Sequence, residues 1–340
     1  MRIVIDCDPG NGVPGANTDD GLALGLAMAS PAIDLELVTT VAGNVPATVG
    51  ASVARGLLAE WGADVPVVAG ARTPLVRDPA PWRRILDRSG MSAEHRRLWD
   101  GVPRPASPAG HNGGTGDGGT GDGGPGGGGA SDGDPLAAAH AIGRLVTANP
   151  GAITVVAIGP TTNLAHALRL YPNLARDVAG IAVMGGAMAV PGRPVDTNFG
   201  YDPHAAHAVL AAGAPVTVVP LDTTVKTMFT DAELKRLREI GTPITSSLAR
   251  TTAPWLRYSA ETRGIPGCWL HDVLVVAMLV DPAIVTRRPA RLAVNLDDGP
   301  DQGATIRLPD DESHAGHTVT LVDGVDNARL LEVFFAALEA

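Results

Sequence analysis

RIVIDCDPGNGVPGANTDDGLALGLAMA, residues 2–29, passes from a strand to a helix through an acidic turn. The apolar run Ile3 to Ile5 enters Asp6 and Asp8, which alternate along the strand and therefore share one face. A Pro/Gly-rich loop follows, and Asp19-Asp20 stand at the mouth of a helical run from Gly21 to Ala29. Caps and turns account for part of this: Asn17, Thr18 or Asp19 suits a helix N-cap, and Asp8-Pro9-Gly10 suits a tight turn. They explain one or two acidic residues, not four. Four carboxylates converging on one turn repel unless a cation neutralises them, which points to a hard-metal site at the strand's carboxyl end. An EF-hand does not fit, because the twelfth position counted from Asp6 is Asn17 rather than a bidentate Glu.

Outward from this turn, strand and helix signals alternate. Strands are expected at 2–8, 35–43, 65–69, 152–158, 179–184 and 215–221. Helices are expected near 20–29, 47–61, 135–148, 162–170, 203–212, 231–239, 244–257 and 270–280. The strands are Val/Ile-rich with little polar alternation, as in a parallel sheet covered on both faces. The fold class is α/β: an open, mostly parallel, doubly wound Rossmann-like sheet whose ligand binds at the carboxyl ends of the strands. Residues 286–325 break the rhythm and predict a small antiparallel C-terminal extension of short strands, closed by a helix near 327–338. Residues 1–340 form one domain. Within it, 110–133 is mostly glycine, with GGTGD occurring twice; two copies cannot stack into a calcium-binding β-roll, and the segment reads as a disordered insertion.

Composition bounds the function. A chain of 340 residues can bury a substantial core, and its net charge of −10 argues against nucleic acid or an anionic membrane as partner. No apolar stretch reaches a membrane span, and the N-terminus runs straight into a strand without a signal-peptide pattern. Cys7 and Cys268 are far apart and form no disulfide framework. A reduced, cytoplasmic protein is the expectation.

Polar residues gather where the expected strands end: Thr39 to Asn44, Gly159 to Asn163, then Asp196, Asn198 and Asp202, then Asp222 to Thr224. Singly each suits a cap or turn, and Asn163 and Asp222 are as readily structural. Together they favour a polyhydroxylated small ligand, which amide and carboxylate groups bind by in-plane hydrogen bonds. Trp269-Leu270-His271-Asp272 opens an apolar helix, where His271 and Asp272 also suit an N-terminal cap. His204 and His207 have the spacing of a helix face but no third ligand for zinc.

DCDPG…DDGLAL, VAGN, GPTTNLA, MGGA, the DTN of 196–198 and LHD at 270–272 resemble, in order, the inosine–uridine-preferring nucleoside hydrolases. The likeness covers about residues 1–280, and the closing DGVDNARLLEVFFAAL is similar as well. It implies a calcium-dependent N-ribohydrolase of purine or pyrimidine salvage, acting on a nucleoside or related riboside to give ribose and a free base, and assembled as a dimer or tetramer. It implies Asp8, Asp20, Asp272 and the carbonyl of Ile158 as calcium ligands, and Asp19 as the base that deprotonates a calcium-bound water. Asn44, Met184, Asp196 and Asn198 would line the ribose, Asp6 would support the turn, and His271 would protonate the departing base.

The chain departs from that pattern. Eight residues, 11–18, separate the PG from the DD where the family has one, so the loop is expected to fold out while returning Asp19 and Asp20 beside Asp8; Asn11 and Asn17 come with it, as candidates to touch sugar or metal. Asp196 replaces a Glu, and Arg193 follows Gly192 where the family carries an asparagine. Two other classes share features with the chain. A haloacid dehalogenase-type sugar phosphatase also begins with Asp-x-Asp, but Lys226 and Asp297-Asp298 fit its later motifs poorly. A calcium-dependent riboside-binding protein without turnover would keep the site and lose the reaction.

Overall fold

Strand β1 (Arg2–Cys7) is buried along nearly its whole length, which is why its sequence shows no polar alternation. It pairs in parallel with β2 (Asp34–Thr40) on one side and β4 (Ile153–Ala157) on the other. The computed structural model describes residues 1–103, 133–309 and 316–340, so the expected insertion at 110–133 lies, but for its last residue, outside the described residues. With β3 (Val67–Ala69), β5 (Gly180–Met184) and β6 (Val216–Val219), the parallel strands run β3-β2-β1-β4-β5-β6. Strand order therefore reverses between β1 and β4, and the carboxyl ends of these two strands frame the crevice in which such sheets bind ligands.

The helices follow in chain order. They are α1 (Asp19–Ala29), α2 (Ala47–Glu60), α3 (Ala80–Leu86), α4 (Ala93–Arg96), α5 (Ala137–Ala148), α6 (Thr162–Leu170), α7 (Leu174–Asp177), α8 (Thr197–Tyr201) and α9 (Pro203–Leu210). Then come α10 (Leu221–Thr224), α11 (Asp231–Ile240), α12 (Pro243–Arg263), α13 (His271–Val280) and α14 (Asn327–Leu338). One face of the sheet packs on α1, α12, α13 and α14 through Leu22, Leu26, Leu248, Trp255, Leu274 and Phe334. The other packs on α5, α6 and α9 through Ile142, Val146, Leu164 and Val209. Helix α13 is buried from Asp272 to Met278, so its first turn is held inside the molecule.

The C-terminal part is antiparallel, as expected, but its strands are not all short. The ten-residue β7 (Val285–Val294) pairs antiparallel with β8 (Thr305–Leu308) and with the nine-residue β9 (His317–Val325). Strand β9 also lies parallel to β6, completing the order β6-β9-β7-β8. The last strand thus covers the open edge of the parallel sheet, which otherwise presents unpaired backbone groups. Among the described residues no helix is long and apolar enough to cross a membrane.

Candidate active site

The turn after β1 is fixed by its own side chains. The backbone N–H of Asp8 donates to Asp20 Oδ1 at 2.9 Å, and Asp8 Oδ2 accepts the backbone N–H of Asn44 at 2.6 Å. Gly43 permits that approach, since a Cβ there would lie 1.9 Å from Asp8 Oδ2. Asn44 then spends its amide on the turn: Nδ2 donates to the carbonyls of Asp8 and Asn17, and Oδ1 accepts from Asn17 N and from Arg88 Nη2.

The lengthened loop does not fold out. Asn11 is fully buried and donates through Nδ2 to Thr18 O at 3.3 Å and to Thr251 Oγ1 of α12 at 3.2 Å. Gly21 leaves room for it, because a Cβ there would sit 2.3 Å from Asn11 Oδ1. The extra residues turn inward because Asn11 finds a partner on α12. Asn11 is therefore a brace and does not line the cavity, whereas Asn17 does.

At the floor, Asp19, Asp20 and Asp272 are all buried and bring carboxylate oxygens within 4.8 Å of one another. Asp19 Oδ2 accepts the backbone N–H of Asp272 at 3.3 Å, joining the first turns of α1 and α13. Burial raises the proton affinity of Asp19, Asp20 and Asp272, and the neighbouring carboxylates raise it further. The same two causes, burial first and Asp20 second, push Asp8 up. These residues fit a hard cation: the donors are all oxygen, and an ion would offset the repulsion that now favours their protonated forms.

Asp6 stands behind the floor. It accepts from Thr39 Oγ1 at 2.7 Å and from Asn163 Nδ2 at 2.8 Å, and burial raises its pKa to about 6. Asn163 also donates to Thr40 O, and Asp222 accepts the N–H groups of Met188 and Ala189, so both are structural.

The wall opposite is built from β4, β5 and α8. Asn198 Nδ2 donates to the carbonyls of Ile158 at 2.9 Å and Met184 at 3.0 Å, which orients both. Asp196 caps α8, accepting from Asn198 N and Phe199 N through Oδ1 and from Gly186 N through Oδ2; burial raises its pKa to about 6. Asp8, Asn17, Asp19, Asp20, Asn44, Ile158, Met184, Asp196, Asn198, His271 and Asp272 all line one cavity of about 490 Å³. Lys226, Asp297 and Asp298 lie outside it, which removes the phosphatase constellation. His271 Nδ1 lies 2.6 Å from Thr224 Oγ1, and burial, then Arg193 and Arg263, lower its pKa to about 3, leaving a neutral ring at neutral pH.

The outer part of the cavity was not legible as a site. Trp82, Leu86 and Arg88 come from α3 and the turn after it, and Trp255, Tyr258 and Arg263 from α12, with Arg193 and Trp269 from loops. The one-face spacing of 255, 258–259 and 263 is the signal that finds them once α12 is known to run to Arg263.

A doubly wound α/β sheet with a carboxylate cluster and a polar-walled cavity at its switch point defines a small-molecule enzyme of the metal-assisted type. The chain belongs to the inosine–uridine preferring nucleoside hydrolase family, whose profile matches residues 3–332, and it is a nucleoside N-ribohydrolase. It is 30% identical over 310 residues to the pyrimidine-specific ribonucleoside hydrolase RihA of Salmonella paratyphi B, covering 90% of this chain and 88% of the relative. RihA of Klebsiella pneumoniae is 31% identical with the same coverage. Among solved structures, a purine-preferring ribonucleoside hydrolase from Gardnerella vaginalis superposes with a TM-score of 0.77 at 27% identity, covering 100% of this chain and 98% of that one. The plant nucleoside hydrolase PpNRh1 gives a TM-score of 0.78 at 26% identity, covering 100% and 99%.

Proposed function

We propose that this hydrolase cleaves the N-glycosidic bond of ribosides with a calcium ion held by Asp8, Asp20, Asp272 and the Ile158 carbonyl. The observation that carries the reading is the buried group of Asp19, Asp20 and Asp272 at the strand switch point, open to the cavity. A hard divalent ion there supplies a lowered water pKa and affinity for the ribose hydroxyls.

The chain's own residues then divide the work. Asp19 accepts the proton of the attacking water, as a carboxylate whose proton affinity is raised by burial. The water oxygen bonds to C1′ as the C1′–N bond breaks, and the departing base takes a proton. Asp8, Asp20 and Asp272, which line the same cavity, stabilise the positive character that C1′ gains. Asn198 orients the Ile158 carbonyl toward its role, Asp196 and Asn44 hold the wall and floor rigid around the sugar, and Met184 supplies an apolar surface. His271, neutral and with Nδ1 engaged by Thr224, hydrogen-bonds the departing base through its other ring nitrogen, and the base takes its proton from water. The enzyme acts in the cytoplasm as a dimer or tetramer, following the resemblance.

The relatives' names divide between pyrimidine and purine bases. The test is a reducing-sugar assay on nucleosides of both kinds, with calcium and after exhaustive chelation. Ribose release that stops on chelation and returns with calcium is the expected result. Calcium bound without release from any riboside would instead make the protein a binding protein.

A further inference from the structure

The cavity has two electrical poles. Its floor is acidic and buried. Its outer part carries Arg88, Arg193 and Arg263, of which Arg193 and Arg263 are exposed at the mouth. Among the described residues none of the three forms an ion pair with a carboxylate, although Arg83, Arg250 and Arg257 on neighbouring surfaces each do. Partial desolvation in the cavity disfavours the charge on Arg88 and Arg263 first, and a neighbouring guanidinium second: Arg263 acts on Arg88, and Arg193 on Arg263.

Arg88 is committed, because Nη1 and Nη2 donate to the Asn44 carbonyl and to Asn44 Oδ1, both at 3.0 Å. Arg193 and Arg263 are not. Each guanidinium lies over an indole, Arg193 5.1 Å from the Trp269 ring centre and Arg263 4.7 Å from that of Trp255. That contact fixes the flat group in place while leaving its N–H donors free. Two pre-positioned guanidiniums facing one cavity, in a protein of net charge −10, match a planar or tetrahedral oxyanion by paired N–H···O bonds. A neutral base would engage these donors only through its carbonyl oxygens, without the added strength of a charged acceptor.

We infer that the preferred riboside carries an oxyanion, a 5′-phosphate or a carboxylate on the base, which Arg193 and Arg263 hold while the sugar sits over the acidic floor. The inference rests on the hydrolase reading of that floor and assigns its substrate class.

The experiment compares kcat/KM for uridine, uridine 5′-monophosphate and orotidine with calcium present, in the wild type and in R193Q/R263Q. Alongside, calorimetry measures ribose 5-phosphate, orotate and ribose binding to both calcium-loaded proteins. One of the two anionic ribosides is expected to exceed uridine by about tenfold or more, the usual worth of charge-assisted hydrogen bonds, and that ratio collapses in the double variant. Which riboside wins identifies the oxyanion. Uridine cleaved as well as both anionic compounds, or a ratio unmoved in R193Q/R263Q, overturns the inference and leaves the hydrolase standing. No cleavage of any riboside, with arginine-dependent binding of ribose 5-phosphate or orotate, removes the hydrolase reading and keeps the anion site; without that binding, the anion site falls too.

Discussion

Asp19 and Asp20 are adjacent in sequence, yet successive residues in a first helical turn project about 100° apart, so one can face the attacking water while the other turns to Asp8. Asp19→Asn keeps the shape and removes the proton acceptor. It is expected to lower kcat by about 10² to 10⁴, with the far-ultraviolet spectrum and calcium stoichiometry retained; undiminished turnover removes Asp19 as the base. Asp20→Ala should lose calcium and activity together, and wild-type stoichiometry by calorimetry contradicts its place as a ligand. Gly43→Ala tests the cradle from the other side. Its methyl group would overlap Asp8 Oδ2, so Asp8 or the 43–44 backbone has to shift. Calcium affinity is expected to fall by an order of magnitude or more, and unchanged affinity means that Asp8 is not held against the ion.

At the scale of elements, the strand-end residues were legible because chemistry and periodicity coincide there. Asp6, Asp8, Asp19 and Asp20 stand out against an apolar strand and helix, and His271-Asp272 open a helix that is otherwise wholly apolar. What the sequence hid was reach. Helix α12 was expected to stop near 257, where Arg257, Ser259 and Glu261 dilute the apolar pattern, but it continues to Arg263 and is closed by Gly264 at φ +66°. Those extra turns carry Tyr258 and Arg263 to the cavity. Helices α3 and α8 are too short for periodicity to declare them. The loop 11–18 hid a tertiary contact for the same reason, since Thr251 lies 240 residues from Asn11. Asn11→Ala removes the bonds to Thr18 and Thr251 and opens space beside Gly21. A loss of about 1 to 3 kcal/mol is expected from the urea midpoint, with kcat reduced because Asp19 and Asp20 lose their support. Wild-type stability would mean that the loop is held by its turns alone.

Over the whole molecule, the helices α1 and α13 come from opposite ends of the chain and meet at the carboxylates, so an ion shared between them ties the first strand–helix unit to the last third of the sequence. Without a cation, Asp19, Asp20 and Asp272 oppose that junction, because burial and mutual repulsion both disfavour their charged forms. Binding to the folded chain alone stabilises it by RT ln(1 + [L]/Kd), about 2.7 kcal/mol at a hundredfold excess over Kd. For a chain of this size that is a rise of roughly 4 °C in melting temperature. Chelation is therefore expected to lower the melting point by several degrees, and calcium to restore it. Magnesium should restore less, since it demands near-ideal octahedral geometry and gives up its waters reluctantly. The same titration on Asp20→Ala separates a site effect from a general salt effect. If the variant still gains the full shift, the ion is bound elsewhere and the junction of α1 with α13 holds without it.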